Sequence, residues 1–299
     1  NEDEVKHMQA LVKEAMNAGA IGFSTSRTFN HTTADDRPVA SRLANWEEVR
    51  AIVNAVGETG KGIFEIAGES PGRSPERNRE YHDRLRDLAV ESGVTQTWGM
   101  FSVKAAPEIW RPYFDLLDET AAAGGRMFAQ VHSRGLNNIL SFESATPYDN
   151  WELWSDIRAL PMDEQKVRLG DPATKAKLVE IANREYTGPR IVGAEIRPPD
   201  WDYVFPMDDM SYDKPSMAQI AKEKGVDPVE LMIDMALERD LKMFFRAPIA
   251  NENQDHVLEM IKHPRSVVTF SDSGAHVSQI MDSSLQTHLL SHWVREKQA

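Results

Sequence analysis

Strand and helix alternate along the first half of this chain at intervals of about 30 residues, and that period restricts the fold more than any other feature. Consecutive parallel strands need a long crossover, usually a helix, so the alternation predicts βαβ units built on a parallel sheet. Glu2 to Ala18 reads as a helix, with Val5, Met8, Leu11, Val12 and Ala15 on one stripe. The strand Gly19 to Thr25 follows it. Asn45 caps the next helix, Trp46 to Gly57, which leads to the strand Gly62 to Ala67. Helix Pro75 to Ser92 precedes strand Val94 to Phe101, and helix Pro107 to Ala123 precedes strand Met127 to His132.

The period breaks at Ser133. From there to Tyr186 the sequence reads as a loop and short helices around Trp151, Trp154, Leu160, Val167 and Leu178. Arg190 to Ile196 and Asp202 to Phe205 read as strands flanking Pro198-Pro199. Met217 to Lys224 and Pro228 to Arg239 form a helix pair, and Lys242 to Arg246 is the next strand. Helix Asn253 to His263 presents Val257, Leu258 and Ile261 on one face and stops at His263-Pro264, as an X-Pro step should. An apolar strand from Ser266 then runs into Asp272-Ser-Gly-Ala-His276, and a last helix spans Ser283 to Arg295.

These elements predict an α/β fold of the (β/α)8 TIM-barrel type, with its first strands lacking here and a mostly helical insertion. Residues 1–132 hold the first βα units, 133–205 the insertion, read as a lid, and 206–299 the closing units. Six strands read as barrel strands, and a closed barrel needs eight. Open edges invite association, so an oligomer, a partner chain or a further chain segment is expected to complete the sheet.

Net charge is −13, with no long Lys/Arg run, which argues against nucleic acid as a partner. The absence of cysteine excludes disulfides, thiolate metal sites and a cysteine nucleophile. No apolar run approaches the ~20 residues of a membrane span, and no signal peptide opens the chain. A cytoplasmic enzyme acting on a small molecule is the expectation.

Six residues end or follow predicted strands: Asp272 and His276, His132, Arg27 and His31, and Arg246. Each has a plain structural alternative. Asp-Ser-Gly is an ordinary turn, a strand-end histidine is commonly a packed one, and a strand-end arginine commonly pairs with a carboxylate. Parallel strands, however, deliver their C-terminal ends to one face. Together the six offer a carboxylate base or metal ligand, imidazoles for proton transfer, and guanidinium groups for an anionic substrate. There is no His-x-His, no His-Glu-x-x-His, no glycine-rich phosphate loop and no nucleophile elbow.

Two blocks resemble a known group. Met8 to Arg27, ending Gly19-Ala-Ile-Gly-Phe-Ser-Thr-Ser-Arg27, resembles the segment of N-acyl-D-amino-acid deacylases in which a helix enters a Gly-Ala-hydrophobic-Gly strand. His263-Pro-Arg-Ser-Val-Val-Thr-Phe-Ser-Asp272-Ser-Gly-Ala-His276, continued by His288 to Arg295, resembles that group's closing strand and helix. These deacylases are metal-dependent amidohydrolases. The resemblance implies a barrel that hydrolyses an amide-type C–N bond with bound zinc. It implies that Asp272 is the last-strand aspartate, which takes a proton from metal-bound water and passes it to the leaving amine. The group's first-strand His-x-His would lie upstream of Asn1. Where such deacylases carry metal-binding histidines, this chain has Phe64-Glu-Ile-Ala67 and Gln96-Thr-Trp-Gly99.

The first reading is therefore a divergent amidohydrolase with Asp272 as general base or metal ligand. His276, His132 and Arg246 support the site, while Arg27 and His31 orient substrate. The alternative is a non-catalytic, partner-binding protein that has lost the metal site. A metal-independent hydrolase pairing Asp272 with His132 ranks lower, since the sequence supplies it with no evident nucleophile or oxyanion donor.

Overall fold

A computed structural model describes all residues except 30, 36, 70, 71, 73, 186–198, 209–213, 272, 274–279, 281 and 282. The elements in order begin with α1 (Glu2–Asn17), β1 (Gly22–Ser26), α2 (Ala40–Leu43), α3 (Trp46–Gly57), β2 (Ile63–Ala67), α4 (Pro75–Ser92), β3 (Thr95–Gly99), α5 (Arg111–Ala122) and β4 (Met127–Val131). Next come β5 (Leu136–Ser141), α6 (Trp154–Arg158), α7 (Met162–Gly170), α8 (Pro172–Ala182), β6 (Phe205–Pro206), α9 (Met217–Lys224) and α10 (Pro228–Glu238). The chain closes with β7 (Phe244–Ala250), α11 (Gln254–Lys262), β8 (Ser266–Val268), α12 (Leu285–His288) and a π-helical run, Leu289–Glu296. No helix among the described residues is long and apolar enough to cross a membrane.

The residues divide into two compact units. The first comprises residues 1–133, 253–270 and 285–299. Its sheet has the order β1-β2-β3-β4-β8, and every pairing in it is parallel. Helix ends here follow local chemistry. Asn45 Oδ1 accepts from the Glu48 amide at 2.8 Å and starts α3. Ser74 caps α4, Pro75 occupies its first turn, and Gly93 ends it in the left-handed region at φ 65°.

Strand alternation sends Phe64 and Ile66 of β2, Trp98 of β3, and Ala129 and Val131 of β4 to the helix-covered face, where they pack with Val53, Leu85, Leu88 and Leu117. Phe64 is wholly buried and stacks on Phe23 with centroids 6.0 Å apart. Burying a side chain of that size stabilises by about 1.5–3 kcal/mol relative to leaving it exposed. Ile63 and Val267, on the opposite face, stay 44% and 39% exposed. Among the described residues the sheet is open, bounded by β1 and β8.

The second unit comprises residues 134–252 and 271–284. It holds a three-stranded antiparallel sheet in the order β5-β7-β6 and the helices α6 to α10. Trp154, Leu169, Leu178, Met232, Ile233 and Phe245 form its core.

The structure corrects several sequence expectations. Lys242 to Arg246 was expected to be a strand of the parallel sheet. The observed strand is Phe244–Ala250, and it runs antiparallel to both β5 and β6. A short apolar run satisfies either pairing, and only its neighbours decide between them. Asp202 to Phe205 is mostly turn, and the strand there is Phe205–Pro206. The helix expected from Pro107 starts at Arg111, after turns that include the Ala106 N–H bond to the Val103 carbonyl. Leu136–Ser141 is a strand where a loop was expected. The strand expected at residues 190–196 lies outside the described residues.

Candidate functional site

Because the strands of the first unit run parallel, β1 to β4 and β8 deliver their C-terminal ends to one end of the sheet. Arg27 directly follows β1, and its amide bonds to the Ala67 carbonyl at the end of β2, 2.8 Å away. Its Nε donates to Glu69 Oε1 at 2.6 Å and its Nη1 to the Ala44 carbonyl at 2.6 Å. The other oxygen of Glu69 accepts from Arg84 Nη2 of α4 at 3.0 Å. One carboxylate therefore sits between two guanidiniums, and all three side chains are largely shielded from water.

Arg84 also lies over the Trp46 ring, 5.1 Å from its centroid, and near Tyr81. The Glu69 amide donates to the Tyr81 hydroxyl at 3.2 Å. Burial raises the Tyr81 phenol above its usual range, so it stays protonated. The cluster pins the loops after β1 and β2 and joins two guanidiniums to one carboxylate.

His31 is exposed, and its Nδ1 lies 2.5 Å from Ser26 Oγ, at the last residue of β1. His132 follows β4 and is wholly buried. On the face of the sheet away from the helices, Gln130 Nε2 donates to Glu65 Oε1 at 3.0 Å, and Thr269 Oγ1 donates to Gln130 Oε1 at 3.2 Å. This row of carboxylate, amide and hydroxyl borders a cavity of about 550 Å³. The rest of its wall includes Ile21, Ile63, Phe128 and Val267. Such a surface accepts hydrogen bonds from a substrate N–H or O–H at its polar row and takes apolar groups elsewhere.

The sequence-predicted residues do not all gather at this end. Arg27, His31 and His132 follow strands of the parallel sheet. Arg246 does not end a strand: it lies within β7 of the second unit, opposite Ile139 and Phe205, with its guanidinium 4.6 Å from the Phe205 ring centroid. Asp272 and His276 lie outside the described residues.

Sequence reasoning missed Glu65, Glu69, Arg84 and Gln130. Glu65 carried a signal, a carboxylate within the apolar strand Ile63–Ala67. Arg84 had none, since an arginine on a charged helix face looks solvated. Among the described residues no group of three His, Cys, Asp or Glu side chains is placed to hold a metal ion.

No family model matches the chain, and no curated protein does. Solved structures do align with it. One is N-acyl-D-glutamate deacylase from Bordetella bronchiseptica, in complex with zinc and a phosphonate mimic of the tetrahedral intermediate. It is 13% identical with a TM-score of 0.41, over 90% of this chain and 42% of that one. D-aminoacylase, studied for its binuclear metal centre, aligns at 14% identity and a TM-score of 0.40 over the same shares. A further D-aminoacylase structure, described as defining a subset of amidohydrolases, aligns at 13% and 0.40. The chain thus spans about two fifths of the length of these solved proteins.

Proposed function

We propose that this chain forms part of a hydrolase of amide-type C–N bonds, acting on an N-acyl amino acid or a related amide. One observation supports the reading above the others. Five strands run parallel, and their C-terminal ends carry Arg27 with Glu69, His31 and His132, while β8 leads in sequence to Asp272. That end of a parallel α/β sheet is where such folds place their chemistry.

In this reading Asp272 is the general base or a metal ligand. As base, its carboxylate takes a proton from the attacking water and returns it to the amine nitrogen as the C–N bond breaks. Arg27 and His31 orient the substrate, the guanidinium through a carboxylate of the amino-acid part. His132 and His276 support the site. Zinc is the cofactor this reading carries, and a full ligand set would have to include residues outside the described ones.

One observation favours the alternative, a binding protein without catalysis: no metal-competent donor set converges among the described residues. Asp272→Asn, measured by amine release from N-acyl amino acids, tests the assignment. The expected loss is about 10²–10⁴-fold at unchanged circular dichroism, the usual contribution of a positioned base. Full activity in the variant would refute the role given to Asp272.

A further inference from the structure

The cavity on the uncovered face of the first unit's sheet is amphiphilic along its strands. β2, β4 and the segment that runs from β8 to Thr269 each line it with two residues spaced two apart, a spacing that puts both on one face: Ile63 and Glu65, Phe128 and Gln130, Val267 and Thr269. In every pair the earlier residue is apolar and the one nearer the C-terminal end is polar. The apolar members form a floor, and the polar members form a rim on the side where the parallel strands end. All of these residues belong to the first unit.

The rim has one group to spare. The Gln130 amide is engaged at both ends, its Nε2 on Glu65 Oε1 and its Oε1 on the Thr269 hydroxyl. Glu65 is the single charged side chain among the described residues that line the cavity. It is exposed, so a solute reaches it directly from water, and among the described residues its only hydrogen bond comes from Gln130. No cation pairs with it there. Apolar walls beside a charge lower the local dielectric constant, which strengthens its pull on a cation and its repulsion of an anion.

We propose that this cavity binds a small amphiphilic amine, with the ammonium group on Glu65 and the apolar body along Ile63, Phe128 and Val267. A volume of about 550 Å³ suits one small molecule, since ligand pockets run from about 300 to 1,000 Å³. Charge also decides against a second copy of the chain as the occupant. The described lining holds no Lys or Arg, so a copy laid face to face would bring a second carboxylate and no counter-ion. The proposal goes beyond amide hydrolysis and does not rest on the role given to Asp272.

Calorimetric titration of the full chain with n-hexylammonium, 1-hexanol and hexanoate tests it, with no activity readout involved. Hexylammonium should bind saturably at about millimolar concentration, about fivefold or more tighter than hexanol, with hexanoate weakest. Lengthening the probe from butylammonium to hexylammonium should tighten binding by up to about fourfold per methylene, the signature of an apolar floor. Glu65→Gln should erase the preference for the amine over the alcohol while the gain with chain length persists. Ile63→Ser should weaken amine and alcohol alike, and circular dichroism checks that both variants fold. No saturable binding of hexylammonium to the folded chain would overturn the proposal. A preference for the amine that survives in folded Glu65→Gln would overturn it as well, since the ammonium would then sit elsewhere.

Discussion

Replacing Glu69 with glutamine removes the one negative charge held between Arg27 and Arg84. The two contacts, at 2.6 and 3.0 Å, are both at hydrogen-bonding range, and the three side chains are 13%, 22% and 29% exposed. A unit-charge pair 4 Å apart gains roughly 4 kcal/mol at an effective dielectric constant of 20, before desolvation is subtracted. Exposed pairs retain about 0–1 kcal/mol of such a gain, whereas breaking a buried pair costs about 3–5 kcal/mol. The partial shielding here places the loss between those limits, at about 2–3 kcal/mol. The variant also leaves two like charges facing each other. For a domain of about 150–250 residues, 1 kcal/mol shifts the melting temperature by roughly 2–4 °C, so a drop of about 5–10 °C is expected. Thermal melting at low and high salt is the assay, together with a cycle that combines Glu69→Gln with Arg27→Met. Removing Arg27 in the second step relieves the uncompensated charge, so the double variant should be less destabilised than the sum by about 1 kcal/mol or more. A melting temperature within a degree of the parent, or strict additivity, would refute the claim that this carboxylate ties the two guanidiniums together.

Two further predictions concern the same unit. His82 is buried beside Tyr113 with its Nε2 unpartnered among the described residues, and burial, aided by the positive charge of Arg79, lowers its pKa below the usual 6.5. The unfolded chain therefore takes up this proton first, so the contribution is complete above about pH 6.5 and is lost as the pH falls toward the folded value; His82→Leu should flatten the melting temperature between pH 7 and 5.5, and an unchanged slope would contradict this. A Cβ at Gly99 would lie 2.8–3.2 Å from atoms of the Phe270 ring, which packs edge-on against Phe101; Gly99→Ala should cost about 1–3 kcal/mol by overpacking, measurable by urea unfolding, and a neutral result would mean that the ring moves freely.

What the sequence made legible follows from the range of the forces involved. α4 could be placed to its ends because Ser74, Pro75 and Gly93 act within a turn of themselves. β5 was missed because Asn137 and Asn138 interrupt its apolar pattern, and their burial is set by pairing with β7, about a hundred residues away. β7 itself was visible as a strand but assigned to the wrong sheet, since an apolar run carries no record of its neighbour's direction. The site divides in the same way. Arg27 could be found from its place after β1, whereas Glu69 and Arg84 are brought to it only by the parallel pairing of β1 with β2 and the packing of α4.

The central claim is that this chain belongs to a hydrolase of amide bonds, and the most direct measurement is release of free amine from a panel of N-acyl amino acids by the folded protein supplied with zinc. Amine released above the zinc-only background, and lost in Asp272→Asn, is the predicted result. A folded protein that releases none from any member of the panel would contradict the account and favour a binding role without catalysis.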